Sequence, residues 1–181
     1  GSDIDLYRSS SAKNIIEECE GSLRRLKTDY IDLYQAHWPD STTPISETME
    51  TMIKLKEQGK IREAGVCNYS APQMKKANET YKLASDQVSY SMILRDIEKE
   101  LVPYCIENKK SVIAYSPLQR GLLTGKIKPD HVFSEGDHRS GLPYFSPHNI
   151  ESVNTMLNKL RPLAAAKNAT LAQLVLCWTV N

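Results

Sequence analysis

The stretch GSLRRLKTDYIDLYQAHWPD, residues 21–40, changes its period halfway along. Its first part closes an amphipathic helix expected over about Ser11 to Lys27. Ile15, Cys19, Leu23 and Leu26 share one face of that helix, and Glu17, Glu20, Arg24 and Arg25 fall largely elsewhere. Its second part, Tyr30 to Ala36, is a strand-like run that ends in His37, Trp38, Pro39 and Asp40. A helix that hands over to a short strand with a polar end is half of a βαβ unit, in which strands run parallel.

The same unit recurs downstream. Thr43 as N-cap with Pro44 at the first helical position predicts a helix with Ile45, Met49, Met52 and Ile53 on its apolar face and Gly59 as its stop. A second strand is expected over Ile61–Cys67, then a short helix capped by Ser70 that carries Met74, Ala77 and Tyr81. A third strand lies near Asp86 to Tyr90, followed by a helix from about Leu101 to Asn108, where Pro103 fits only in the first turn. The fourth strand, Ser111 to Tyr115, opens a long irregular stretch to Asn149 that is rich in Gly, Pro, Ser and His. Two helices close the pattern. The first spans about Ile150 to Asn168, with a kink or break expected at Pro162; the second starts at Thr170, where Gln173 three residues on makes a capping box. Leu171, Leu174, Val175 and Trp178 give that last helix its apolar face.

Strands that start near residues 30, 61, 86 and 111 favour a barrel over an open sheet. No G-x-G-x-x-G follows any of them and no Walker loop is present, so the dinucleotide fold and the phosphate loop of nucleotidases are not indicated. A closed (β/α)8 barrel needs eight strands and roughly 250 residues. With four strands in 181 residues, the chain is expected to supply part of one barrel, as a single domain over 1–181.

Charge and composition narrow the partners. There are 23 Lys+Arg against 22 Asp+Glu, a net charge of +1, which gives no reason to expect nucleic acid or an anionic membrane. The four cysteines lie far apart with no C-x-x-C pair, and three sit in apolar patterns, as reduced thiols of a cytoplasmic protein would. No leader is apparent and no stretch approaches roughly 18 apolar residues. His131, His138 and His148 with Asp137 match no metal-ligand spacing and read as loop surface, so no metal is expected.

In parallel barrels the active site lies at the C-terminal ends of the strands. His37 stands there and offers a hydrogen bond or a proton to a carbonyl. Asn68 and Gln87 offer amides that complement a carboxamide, and Tyr115 a flat face for an aromatic ring. The loop from Ser116 to Lys126, with two glycines and two cations, suits a pyrophosphate held by backbone N–H groups. Each residue taken alone also has a structural reading, as a turn residue or core packing. Their recurrence at one end of successive units is what gives them weight.

Four stretches in this order, GSLRRLKTDYIDLYQAHWPD, LKEQGKIREAGVCNYS, DQVSYSM and VIAYSPLQRGLLTGK, resemble the aldo-keto reductase family. The segment from Phe133 to Arg139, F-x-x-G-D-x-R, is similar to the bacterial and plant branches that reduce general aldehydes. The resemblance implies a (β/α)8 TIM barrel of which about strands 4–7 are in this chain, and NADPH as the cofactor that reduces a small carbonyl substrate. It places His37 as the catalytic histidine that orients the carbonyl. It assigns Cys67, Asn68 and Gln87 to the nicotinamide carboxamide, Tyr115 to the nicotinamide ring, and Ser116, Leu118, Arg120, Gly121 and Lys126 to the pyrophosphate loop. Cys67 stands where the family often has Ser, which weakens one hydrogen bond. The family's catalytic Asp, Tyr and Lys come from earlier strands, and no segment of this chain matches those strands. Two other readings stay open: an NADPH-binding regulatory subunit like the channel-associated relatives, against which His37 speaks, and a fragment inactive by itself. The substrate and the oligomeric state are not legible.

Overall fold

A computed structural model describes residues 9–180. Helix α1 (Ala12–Leu26) leads into strand β1 (Ile31–Ala36), followed by α2 (Ile45–Glu57), β2 (Ile61–Cys67), α3 (Ala71–Thr80), β3 (Ser85–Ser89), α4 (Leu101–Glu107) and β4 (Ser111–Tyr115). Three short 3-10 turns occupy the stretch before α5 (Pro147–Ala166) and α6 (Leu171–Val180). The strands form one sheet in the order β1-β2-β3-β4, with β1–β2 and β2–β3 parallel. The register pairs Gln35 with Gly65 and Cys67 with Gln87.

The chain divides into two compact units, one of residues up to Val88 together with Asp96–Ile113, the other of Ser89–Arg95 together with residues from Ala114 onward. The first has a core built on the helix-facing side of the strands, where Ala36, Ala64, Val66 and Val88 meet Met49, Met52, Leu55 and Met74. Side chains alternate across a strand, so these even-numbered positions leave the odd-numbered ones, among them Gln35, Gly65, Ser85 and Gln87, on the opposite face. The second unit gathers Leu122, Leu123, Ile150, Leu157 and Val175 into its own core. Each fully buried aliphatic side chain contributes about 1.5–3 kcal/mol.

Several local expectations hold. Ser70 and Gln73 form a reciprocal capping box at α3, and Thr170 and Gln173 exchange the same bonds ahead of α6. Gly59 follows α2 at φ 73°, the left-handed turn glycine tolerates.

Three expectations fail. Thr43 does not cap α2; its hydroxyl donates to Asp40 Oδ2 at 2.7 Å, Pro44 takes the N-cap place and the helix begins at Ile45. That charge-assisted bond holds the Thr43 side chain to the loop before the helix. Pro162 does not break its helix, since α5 runs through it to Ala166. Pro162 and Asn158, whose carbonyl loses its helical N–H partner to the proline, are both exposed, so the freed group is open to solvent rather than buried. Leu26 has the right angular phase but is 65% exposed, because it lies in the last turn, just before the left-handed Lys27. Among the described residues no single helix is long and apolar enough to cross a membrane.

Candidate active site

Four of the residues singled out by sequence lie in the first unit: His37 directly after β1, Cys67 and Asn68 at the end of β2, and Gln87 in the middle of β3, in register with Cys67. His37 is exposed directly after β1 and borders a cavity of about 370 Å3 shared with Gln35, Asn14 and Tyr34. Its backbone carbonyl accepts a hydrogen bond from Asn68 Nδ2 at 3.4 Å, which ties the end of β1 to the end of β2. The loop behind it is held by Asp40, whose carboxylate accepts from the Ser10 N–H, the Thr42 N–H, and the Thr42 and Thr43 hydroxyls, all at 2.7 Å. Burial opposes ionisation of Asp40, but those four donors outweigh it and hold the carboxyl far below the usual carboxylate range. Asp40 is therefore a fixed anion that shapes the loop, not a proton donor.

Asn68 sits at φ 60°, in the left-handed region that Asn enters more readily than other side chains. Its N–H donates to the Gln87 carbonyl at 2.9 Å, so the turn after β2 is fastened to β3. Cys67, one residue earlier, is buried, and its thiol is pushed up to about 11 by burial and then by the charge of Asp86. It stays a neutral thiol, a weak hydrogen-bonding group.

Gln87 belongs to a polar chain that runs across the sheet. Gln35 Nε2 donates to Gln87 Oε1 at 2.9 Å, and the Ser85 hydroxyl donates to Gln35 Oε1 at 3.3 Å. The route from β1 to β3 passes over Gly65 of β2. A Cβ there would stand 2.6 Å from Ser85 Oγ and 3.1 Å from both Gln35 Oε1 and the Ser85 carbonyl. Gly65→Ala is accordingly expected to lower stability by roughly 1–3 kcal/mol through overpacking. Urea denaturation checks this, and an unchanged midpoint would contradict the close approach. Gln35, Gly65 and Ser85 escaped sequence reading, although Gln35 shares the two-residue alternation that puts His37 on its side of β1.

Asp86 was missed as well. It points to the helix side of β3, is wholly buried, and neither carboxylate oxygen has a hydrogen-bond partner of ordinary geometry. Burial raises its carboxyl to about 7, with the backbone N–H groups of Tyr69 and Asn68 pulling the other way.

The remaining predicted residues lie in the second unit. Ser116, Gln119, Arg120 and Gly121 all have positive φ, at 56°, 46°, 52° and 94°. Left-handed backbone costs non-glycine residues about 1–2 kcal/mol each, and such strain concentrates at ligand clamps. Within this turn the Gln119 N–H donates to the Ser116 carbonyl at 2.8 Å and the Gly121 N–H to the Leu118 carbonyl at 3.0 Å. The step from Leu118 (φ −92°, ψ 10°) to Gln119 (φ 46°) has the alternating hand of an anion-binding nest. Leu118 precedes the turn, and buried Gln119 anchors it by accepting from the Ser91 hydroxyl at 3.1 Å. Tyr115, Ser116 and Arg120 border a cavity of about 250 Å3 whose other walls include Leu142 and Tyr144. Arg120 and Lys126 are exposed. The G-D-x-R segment pairs with itself: Asp137 accepts from Arg139 Nη2 at 2.6 Å and from Nε at 3.0 Å, while Arg139 Nη1 reaches the Arg120 carbonyl at 3.4 Å.

Residues 5–181 match the model of the Aldo/keto reductase family. An NADH-specific methylglyoxal reductase of Escherichia coli is 40% identical over 182 residues, covering 99% of this chain and 55% of that protein. The aldo-keto reductase YhdN of Bacillus subtilis is 38% identical over 177 residues, covering 97% and 54%. Among solved structures, the glycerol dehydrogenase AKR11B4 of Gluconobacter oxydans superposes with a TM-score of 0.91 at 38% identity, over 98% of this chain and 55% of that one. An aldo/keto reductase of Klebsiella pneumoniae, solved with NADP and acetate, gives 0.69 at 34% identity, over 93% and 51%. The chain spans about half the length of these relatives, and its parallel strands and helices are a portion of their TIM-barrel fold. By family model and by relatives in sequence and structure alike, the chain belongs to the aldo/keto reductase family.

Proposed function

We propose that the protein carrying this chain is an oxidoreductase that reduces small aldehydes or ketones to alcohols with NADPH, the chain forming part of one barrel domain over 1–181. The observation that carries this reading is that His37 and Asn68 follow β1 and β2 directly and Gln87 of β3 stands level with the end of β2, the three tied by the Asn68–His37 and Asn68–Gln87 bonds. Two amides, one just after β2 and one level with it on β3, suit a carboxamide, and the alternating backbone hand at Leu118–Gln119, with the exposed cations Arg120 and Lys126 in the same loop, suits a pyrophosphate. Asn68, Gln87 and the weaker Cys67 would hold the carboxamide, Tyr115 the nicotinamide ring, and Ser116, Leu118, Arg120, Gly121 and Lys126 the phosphates. The bound cofactor supplies hydride. His37 orients the substrate carbonyl and polarises it by a hydrogen bond to its oxygen. The neutral Cys67 thiol and the anionic Asp40 take no part in proton transfer.

The Klebsiella relative was solved with NADP, whereas the Escherichia coli relative is NADH-specific, so both nucleotides belong in the test. Titration of the complete protein with NADPH and NADH by nucleotide fluorescence, followed by assay against short-chain aldehydes and ketones, is expected to show saturable NADPH binding and stoichiometric alcohol formation. Tight binding without turnover would favour the regulatory reading. Absence of binding to either nucleotide would overturn both.

A further inference from the structure

We propose that Gln35 is a positioning residue of the nicotinamide site: its side chain fixes which end of the Gln87 amide faces the cofactor. The inference rests on the assignment of Gln87 to the carboxamide. A glutamine amide has an accepting oxygen and a donating NH2 of nearly equal shape, so packing alone does not select between its two orientations. Hydrogen bonds do, and here they form a directed chain. The Ser85 hydroxyl donates to Gln35 Oε1, which leaves the Gln35 NH2 to point onward, and that NH2 donates to Gln87 Oε1. With Oε1 engaged inside the sheet, Gln87 presents Nε2 to the ligand. A donor at that place recognises the carbonyl oxygen of a carboxamide rather than its NH2 group.

Three structural facts support the chain. Gln35 and Gly65 are paired in register, so the space over Gly65 lets the Gln35 side chain pass β2 and reach β3. Ser85 is buried, and Gln35 and Gln87 are half-buried, which shields these bonds from water. Gln35 has both of its ends satisfied by partners about 50 positions away, so the relay is a product of strand register and not of local turn chemistry.

The test compares the natural nicotinamide nucleotide with its 3-acetylpyridine analogue, which keeps the carbonyl oxygen and lacks the NH2. Calorimetric titration of the complete protein with the oxidised form of each gives an affinity ratio. Gln35→Glu replaces the donor by a carboxylate that only accepts. It draws Gln87 Nε2 inward and turns Oε1 outward. The natural nucleotide meets that oxygen with its NH2, while the analogue cannot. The ratio is therefore expected to shift against the analogue by about tenfold, the effect of one unsatisfied buried acceptor. Gln35→Met, which frees the Gln87 amide to adopt either orientation, is expected to give an intermediate ratio. An equal loss for both ligands, or an unchanged ratio in a folded Gln35→Glu protein, would overturn the relay. Should Gln35→Glu fail to fold, Ser85→Ala withdraws the first donor of the chain and is expected to shift the ratio in the same direction by a smaller factor; no shift would overturn the proposal equally. Gln87→Leu separates this from the underlying assignment. If it leaves natural-nucleotide affinity intact, Gln87 does not meet the cofactor at all; if it weakens affinity while the Gln35 ratio stays fixed, the relay alone fails.

Discussion

Replacing Asp86 by asparagine should make the protein more stable at pH 8 and leave its stability nearly unchanged at pH 4. Asp86 is wholly buried on the helix side of β3, in register with Val66 and near Cys105, with no hydrogen-bond partner of ordinary geometry for either oxygen. Burial raises its carboxyl from 3.8 to about 7. A carboxyl raised in the folded state favours folding in its protonated form. Its contribution is full below the unfolded value, about 3.9, and is lost as pH rises through 7. At about 1.4 kcal/mol per pKa unit, three units correspond to a loss of roughly 4 kcal/mol by pH 8. Asparagine resembles the protonated acid and carries no charge, so it removes this loss.

The ionisable side chains that face Asp86 do not confuse the window. Cys67 and Cys105 are raised to about 11 and Tyr69 to about 12, each by burial first and by the Asp86 charge second. All three stay neutral between pH 4 and pH 8. Urea denaturation of both proteins at several pH values reads the difference directly. A stability difference that does not grow with pH would show that Asp86 keeps an ordinary carboxyl in the folded protein.

His37→Ala carries the second large expectation: kcat of the complete protein falls by roughly 10²–10⁴-fold, while nucleotide affinity stays within a few-fold of wild type. The substitution is a clean one. His37 is exposed, its ring touches Trp38 with centroids 6.1 Å apart, and the bond to Asn68 uses the backbone carbonyl, which alanine keeps. Loss of the imidazole should therefore leave β1, the Asn68 turn and the amide sites in place. What disappears is the polar group at the substrate carbonyl, worth about 3–5 kcal/mol of barrier. Steady-state kinetics with a reducible aldehyde, beside nucleotide titration, separates the two quantities. Undiminished turnover would remove His37 from the chemistry and return the regulatory reading to the front.

Much of the fold was legible from local order. The period change within residues 21–40, the strand Ile61–Cys67, the strand Ser111–Tyr115 and the capping boxes at Ser70 and Thr170 all depend on groups within about one turn of each other. Such bonds are decided by side-chain chemistry and spacing, which a sequence displays. Thr43 marks the limit of that logic even at short range. Its hydroxyl donates to the Asp40 carboxylate, itself held by the distant Ser10 N–H, and the helix starts one residue later than the cap signal indicated. The placement of His37 and Asn68 directly after their strands followed from alternation of strands and helices, since parallel strands return to the same edge; Gln87 lies two residues short of the end of β3.

The sequence by itself thus determined the order of elements, the edge at which polar residues gather, and the chemistry those residue types can offer. Only tertiary structure decided which of them meet. Gln35 reaches Gln87 because the register of β1, β2 and β3 sets Gly65 beneath its path, and no spacing rule within one strand encodes the offset to another. Asp86 is adjacent to Gln87 in the chain and yet faces the opposite side, so one residue of phase separates an amide of the polar face from a buried acid. The turn holding left-handed Gln119, Arg120 and Gly121 is likewise anchored by the buried Ser91–Gln119 bond, a contact between distant segments. In each case the deciding free energy lies in long-range register and burial, which are properties of the packed sheet rather than of any segment of the chain.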